Sequence, residues 1–377
     1  MNIKQLLLAI GIFFNIFHHV CLAQGILSGT VVEQKYVSLV VQNIPVNSSV
    51  DTFVIKRMEF GRYLIPYSNN QKFIKNCDPD KAAIIFKGTL KPDSMGYLTY
   101  NDQQVKQKYS YVYWLQNKHG KILGNPVCLK LRDPKVWMSQ QSIEKTMDSL
   151  VAKYPKWAQK TTFGKTVNNL PINGLVVGNL KNALLLVGYT HAGESGAELH
   201  LATIAQLLKN NKKYFRKAGI IVIPVLNIDS RNLLINGQPD YVRTNANGVD
   251  LNRNFPANWE KPDNSYGIKT DDPNSTTYRG PFPASEPETQ TLMSVMETYK
   301  PTVFFDYHWM GTITGCNLLS YLDDTVMKLE LELYGKLFHD GFFFRPKKLN
   351  HHFASKTAQN QVPPSDMPLQ WQKYLHF

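Results

Sequence analysis

Cysteine is scarce in this chain: four in 377 residues. Cys21 falls in an N-terminal apolar stretch, which leaves Cys77, Cys128 and Cys316, an odd number that excludes a full disulfide framework. No two cysteines have the spacing of a cysteine metal site, while Cys77 and Cys128 share one region and can pair. Long hydrophobic runs are also missing after the N-terminus, so no later segment is expected to span a bilayer. Dense basic runs with interleaved aromatics are absent too, the nearest being Lys209 to Lys217. The net charge of +13, from 42 basic and 29 acidic residues, therefore does not point to nucleic acid. It fits a general attraction to anionic polymers or surfaces. There is no internal repeat and no low-complexity tract.

What is present begins with a processing segment. Lys4 gives a positive start, and Leu6 to Phe17 is an apolar core too short for a comfortable membrane span. Cys21-Leu22-Ala23 offers small residues where a signal peptidase reads, so residues 1–23 are expected to be removed before Gln24. Lipidation at Cys21 is the rival, with Val20 before it a poor fit. The mature chain is expected to be secreted or periplasmic.

Two domains follow. Residues 24–132 read as strands, among them Val37 to Val41, Ala82 to Phe86 and Tyr109 to Trp114. The last alternates as a half-buried strand does. Asn117 to Gly120 reads as a turn, and Lys121-Ile122-Leu123 as the start of another strand. Several strands in so short a stretch suggest a small β-sandwich. Arg132-Asp133-Pro134 marks the boundary, and residues 136–377 form the second domain. There Ile143, Met147, Leu150 and Val151 repeat at helical spacing, and Tyr154-Pro155 stops that helix. Leu184 to Tyr189, Ile220 to Leu226 and Val303 to Tyr307 read as buried strands. Ser195 to Glu198 is a capping box opening a helix with Ala197, Leu201, Ile204, Ala205 and Leu208 on one face. Ser285 to Glu288 opens another, with Leu292, Val295, Met296 and Tyr299 inward. Strands alternating with helices predict an α/β domain, its mixed sheet flanked by helices.

The chemistry-bearing residues lie in that domain. His191, Glu194 and His308 offer two imidazoles and a carboxylate, and three protein ligands leave a fourth zinc position open for water. Taken alone, His191 and Glu194, and likewise His308, read as ordinary surface or structural residues. Between them Arg243 and Arg253 bracket asparagines and a glycine turn. An arginine fork suits a carboxylate, and a second arginine can stabilise an oxyanion. Pairing of the arginines with Asp240 and Asp250 in a polar loop is the alternative. Asp250 and Asp306 can orient metal ligands, but read more simply as ordinary loop and strand-end residues.

His191-Ala-Gly-Glu194, Gly248-Val-Asp-Leu-Asn-Arg-Asn-Phe-Pro256, the run Tyr278 to Thr289 and His308 together resemble the carboxypeptidase A-like zinc carboxypeptidase family. The likeness runs from about Val136 to about Tyr321. It implies that His191, Glu194 and His308 hold one Zn2+. It implies that Asn252 and Arg253 clamp the C-terminal carboxylate of a peptide, and that Arg243 polarises the scissile carbonyl. The spacing of Arg243 from Asn252 matches the regulatory and bacterial branches, and Gly193 stands where digestive members have an arginine. Implied partners are peptide or protein C-termini, cell-wall peptides among them.

The same resemblance expects a general-base glutamate on a late strand, which takes a proton from the zinc water and returns it to the leaving amine. The last glutamate of the chain is Glu332, within the helical pattern Val326 to Phe338. The tail closes on Leu369 to Phe377, apolar enough to expect more chain over it. The sequence reading is therefore of a catalytic fold truncated at its C-terminal end. Two functions follow: an exported zinc carboxypeptidase, or a zinc-binding relative that captures peptide C-termini without cleaving them.

Overall fold

The computed structural model describes residues 27–42, 52–61, 74, 77–94, 97–194, 198–239, 241–262 and 268–308. The chain divides into two compact units, Met1–Pro134 with Ile235–Asp240, and Lys135–Leu234 with Tyr241–Phe377.

The first unit is all β. Strands β1 (Leu27–Val32), β2 (Tyr36–Val41) and β5 (Leu98–Asp102) form one antiparallel sheet, and β4 (Ala83–Gly88), β3 (Phe53–Phe60), β6 (Ser110–Asn117) and β7 (Val127–Lys130) form another. Leu39 and Val41 from the first sheet share one core with Phe53, Ile55, Tyr111 and Tyr113 from the second, so the unit is a β-sandwich. Segment 235–239 belongs to it through the backbone. Val31 N–H donates to Asn236 O and Lys130 N–H to Gly237 O, each at 2.8 Å. Beneath this, Asp102 accepts from Arg57 at 2.8 Å and from the Tyr113 hydroxyl at 3.0 Å.

Two expectations for this unit change. β6 is not half-buried: residues 110–116 are all buried. Tyr111, Tyr113 and Leu115 point into the sandwich core, while Val112 and Trp114 are covered on the other face by Ala82, Met58, Phe60 and Ile74. Lys121 to Leu123 does not start a strand; only Ile122 bridges back, to Gln116. The turn before it is as expected, with Asn117 Oδ1 accepting from both His119 and Lys121 N–H at 3.0 Å and Gly120 at φ 82°.

The second unit holds a five-stranded mixed sheet in the order β12 (Val303–Tyr307), β10 (Ala183–Gly188), β11 (Gly219–Ile223), β9 (Pro171–Gly178), β8 (Ala158–Lys165). The first three strands run parallel and the last two pair antiparallel. All five residues of β11 are buried, as expected for a strand covered on both faces. Helices α1 (Gln140–Lys153), α2 (Glu198–Asn210), α3 (Ile228–Ile235) and α4 (Pro287–Tyr299) complete the unit. Ile143 and Met147 of α1, Leu201, Ile204 and Leu208 of α2, and Leu292, Val295 and Met296 of α4 join the sheet in one core. Ser139 caps α1, accepting from Ser142 N–H, and Tyr154 closes it. Residues 195–197, expected to open α2, lie outside the described residues, as do residues 1–26, Asp240 and everything after His308. Among the described residues no helix is long and apolar enough to cross a membrane.

Register is what brings the site together. β10 and β12 are parallel neighbours, with Gly188 opposite Tyr307. Both strands therefore end at the same edge, His308 one residue beyond β12 and His191 three beyond β10. Ligands gather at the carboxyl ends of strands in such sheets for this reason.

Candidate metal centre

The turn from β10 to His191 is held tightly. Tyr189 adopts a left-handed backbone, φ 54°, which a bulky residue accepts only when its surroundings fix it. Its hydroxyl donates to Glu198 at 2.9 Å and the Arg231 guanidinium lies 4.3 Å from its ring centre. Arg231, fully buried, donates in turn to Glu198 at 2.6 Å and to Met138 O at 2.7 Å. Two residues on, His191 is 2% exposed and Glu194 4%.

The three predicted metal ligands come together. His191 Nδ1 lies 2.9 Å from Glu194 Oε1, and His308 Nδ1 lies 3.1 Å from both His191 Nδ1 and Glu194 Oε2. The outer ring nitrogens are turned away onto carboxylates: His191 Nε2 to Asp250 Oδ1 at 2.9 Å, and His308 Nε2 to Asp306 Oδ2 at 2.8 Å. Thr190 Oγ1 donates to the other oxygen of Asp306 at 2.8 Å. Asp250 and Asp306 are thus not the ordinary residues that the simpler sequence reading favours; each holds a histidine ring in place. The pattern Asp306-x-His308 carries that signal only once the strand end is known.

This geometry suits a cation. With each outer nitrogen turned to a carboxylate, the two Nδ1 atoms face each other and Glu194, and in the neutral rings they offer lone pairs to a cation between them. A tetrahedral zinc with ligands at about 2.0–2.2 Å needs its donor atoms roughly 3.3–3.6 Å apart, a few tenths of an ångström wider than the spacing found. The electrostatics agree. Burial opposes charge on His308, yet Asp306 and Glu194 outweigh it and carry its pKa up to about 10. Burial likewise opposes the charge on Glu194, but the hydrogen bonds with His191 and His308 outweigh it and bring its pKa down to about 2. In the metal-free chain a proton on His308 supplies the positive charge that the cluster demands.

Asp250 joins this cluster to the arginine loop. Its Oδ2 accepts from Arg243 Nε at 2.7 Å, and its Oδ1 also caps the short 3-10 turn Leu251–Arg253 through Asn252 N–H at 3.0 Å. The pairing of Arg243 with Asp250, read from sequence as an alternative to a catalytic role, is therefore present. Asn252 and Arg253 stand on the turn that Asp250 caps, with Arg253 donating to Asn252 O at 3.1 Å. The loop is built to hold this shape. Asn245 Oδ1 accepts from Asn247 and Val249 N–H, and its amide donates to Glu286 and Glu288. Asp250 N–H donates to Tyr278 O at 2.7 Å, and Asn254 bonds Ser285 and Arg279 O. The run Tyr278 to Thr289 thus buttresses the loop that carries Asp250.

Sequence reasoning passes over Tyr241. Its hydroxyl donates to Glu194 Oε1 at 3.2 Å, beside the Arg243 guanidinium. Burial and the Glu194 charge push its pKa up, so it remains a phenol at neutral pH.

Fold and site together define an α/β domain with a His-Glu-His centre at the strand ends. Residues 143–316, a little under half of the chain, match the family model described as zinc carboxypeptidase. Murein peptide amidase A of Escherichia coli (strain K12) is 30% identical over 131 residues, 34% of this chain and 49% of that protein. Mast cell carboxypeptidase A of Rattus norvegicus is 25% identical over 169 residues, 40% of each chain. The chain thus spans about half or less of the curated relatives it matches. Among solved structures, the carboxypeptidase A of Helicoverpa armigera aligns with a TM-score of 0.45 at 21% identity, over 51% of each chain.

Proposed function

We propose that the chain is an exported zinc metallocarboxypeptidase that hydrolyses the bond next to a peptide's C-terminal carboxylate. The observation that carries this is the inward turn of both Nδ1 atoms onto Glu194, with both outer nitrogens tied to carboxylates. His191, Glu194 and His308 would hold one zinc, which when bound polarises a carbonyl and lowers the pKa of water. Arg253 and the Asn252 amide bind the terminal carboxylate, one planar fork against another. Arg243, held by Asp250, keeps a positive charge beside Glu194, where an oxyanion gains most from a preorganised donor. The relatives named murein peptide amidase and carboxypeptidase support peptides as substrates, cell-wall peptides included. The apolar N-terminal stretch supports export.

A second reading is capture of peptide C-termini without cleavage. Glu194, Asp250 and Asp306 are each committed to a histidine, so the proton transfer that hydrolysis requires is assigned to none of them. The test is zinc stoichiometry of the purified chain together with turnover of a panel of C-terminal reporter peptides. One zinc per chain with cleavage supports the peptidase, and one zinc with binding but no cleavage supports capture. A chain that takes up no zinc overturns both.

A further inference from the structure

The segment Tyr241-Val242-Arg243 runs along the loop that carries His191 and Glu194. Gly193 N–H donates to Val242 O at 2.5 Å, fixing the two backbones side by side. Tyr241 then lays its ring against Gly193. A Cβ at position 193 would meet the ring at Cδ2, at Cε2 (2.6 Å) and at Cγ (2.9 Å), closer than side chains tolerate. At the far end of that ring the hydroxyl donates to Glu194 Oε1. The ring position and the hydrogen bond depend on each other: only the bare Gly193 lets the ring lie close enough for its hydroxyl to reach the carboxylate.

We propose that Tyr241 is a positioning residue for Glu194, made possible by Gly193. Its hydroxyl holds Oε1, the oxygen that also faces His191 Nδ1, while Oε2 faces His308, so the plane of the carboxylate between the two rings is set from outside the cluster. The same hydroxyl stands beside Arg243, so Glu194 and Arg243 are set relative to each other through one phenol. This inference rests on the reading of the cluster as a zinc site. It goes beyond it by naming a residue that decides how Glu194 is presented.

Zinc affinity, measured by competition with a chromogenic chelator, tests the idea without reference to turnover. Tyr241→Phe keeps the ring against Gly193 and removes only the hydroxyl. Partners of metal ligands are typically worth about 10–100-fold in metal affinity, and a loss of that size is expected. The melting temperature of the metal-free variant should stay that of wild type. In the cobalt-substituted chain the visible bands should shift, because the carboxylate loses the phenol that fixes its orientation. Gly193→Ala, which drives the ring aside, should cost the same affinity, and the double variant no more than the larger single loss. Equal zinc affinity in wild type and Tyr241→Phe overturns the role of Tyr241 alone. So does additive loss in the double variant. A wild-type chain that takes up no zinc instead overturns the metal site, and this inference with it.

Discussion

His191 and His308 present the same ring atom, Nδ1, to each other at 3.1 Å, although 117 residues separate them in the chain. The parallel pairing of β10 with β12 makes this meeting possible, because both strands end at one edge. The two aspartates behind the rings fix which nitrogen faces inward.

Asp250 faces His191 and also accepts from Arg243 and from Asn252 N–H. Asp250→Asn keeps the size but weakens the bond to His191 Nε2 and the pairing with Arg243. Zinc affinity is expected to fall about 10–100-fold, as for other partners of ligating histidines. Chelator competition on purified wild type and variant reads this directly.

In the proposed function Arg253 binds the substrate's terminal carboxylate. A charged hydrogen bond contributes about 1.5–3 kcal/mol, so Arg253→Ala should lower kcat/KM by roughly 10–100-fold on peptides ending in a free carboxylate. Peptides ending in an amide should be turned over equally poorly by both proteins. Equal losses on both substrate classes would remove Arg253 from carboxylate recognition.

The pH dependence of the metal-free chain follows from His308 and Glu194. The pKa of His308 rises from 6.5 to about 10 on folding, so its contribution is fully present below 6.5 and is lost as pH climbs through 10. The pKa of Glu194 falls from 4.5 to about 2, so its contribution is present above 4.5 and is lost as pH falls through 2. The metal-free melting temperature should be highest between these limits and decline toward pH 10. Zinc must displace the proton on His308, so affinity should rise about tenfold per pH unit below 10. Melting curves and zinc titrations across pH check both.

In the β-sandwich, Asp102 is 2% exposed and bonded to Arg57 and Tyr113. Asp102→Ala would leave the half-buried guanidinium, still bonded to Gln104 O, without its counter-charge, which costs about 1.5–3 kcal/mol. The unfolding transition of the first unit should move to lower denaturant, while zinc uptake by the second stays as in wild type.

The sheet and helices of the second unit were legible because their apolar positions repeat cleanly: Ile143, Met147 and Leu150 on α1, and the unbroken run of β11. The ligand set was legible because the segments around it are distinctive. What the sequence hid depends on contacts between distant residues. Val112 and Trp114 alternate with Tyr111 and Tyr113 as solvent-facing residues would, and only the cover over them shows both faces buried. Ile122 sits in a stretch that looks like a strand but finds a single bridge. Asp306 and Asp250 gave no sign of which way their carboxylates turn. Tyr241 lies 47 residues from Glu194, and nothing in its neighbours announces the bond.

The first unit is assembled from two separated pieces of chain, since Asn236 and Gly237 accept from Val31 and Lys130. No single cut after Pro134 releases it whole; the fragment obtained would lack the carbonyls that two of its strands bond. During synthesis the sandwich has to wait, its edge unfinished, until Gly237 has left the ribosome. By then β8 to β11 of the second sheet have been made while α4 and β12 have not, so the sandwich can close before the sheet that joins His191 to His308 is complete.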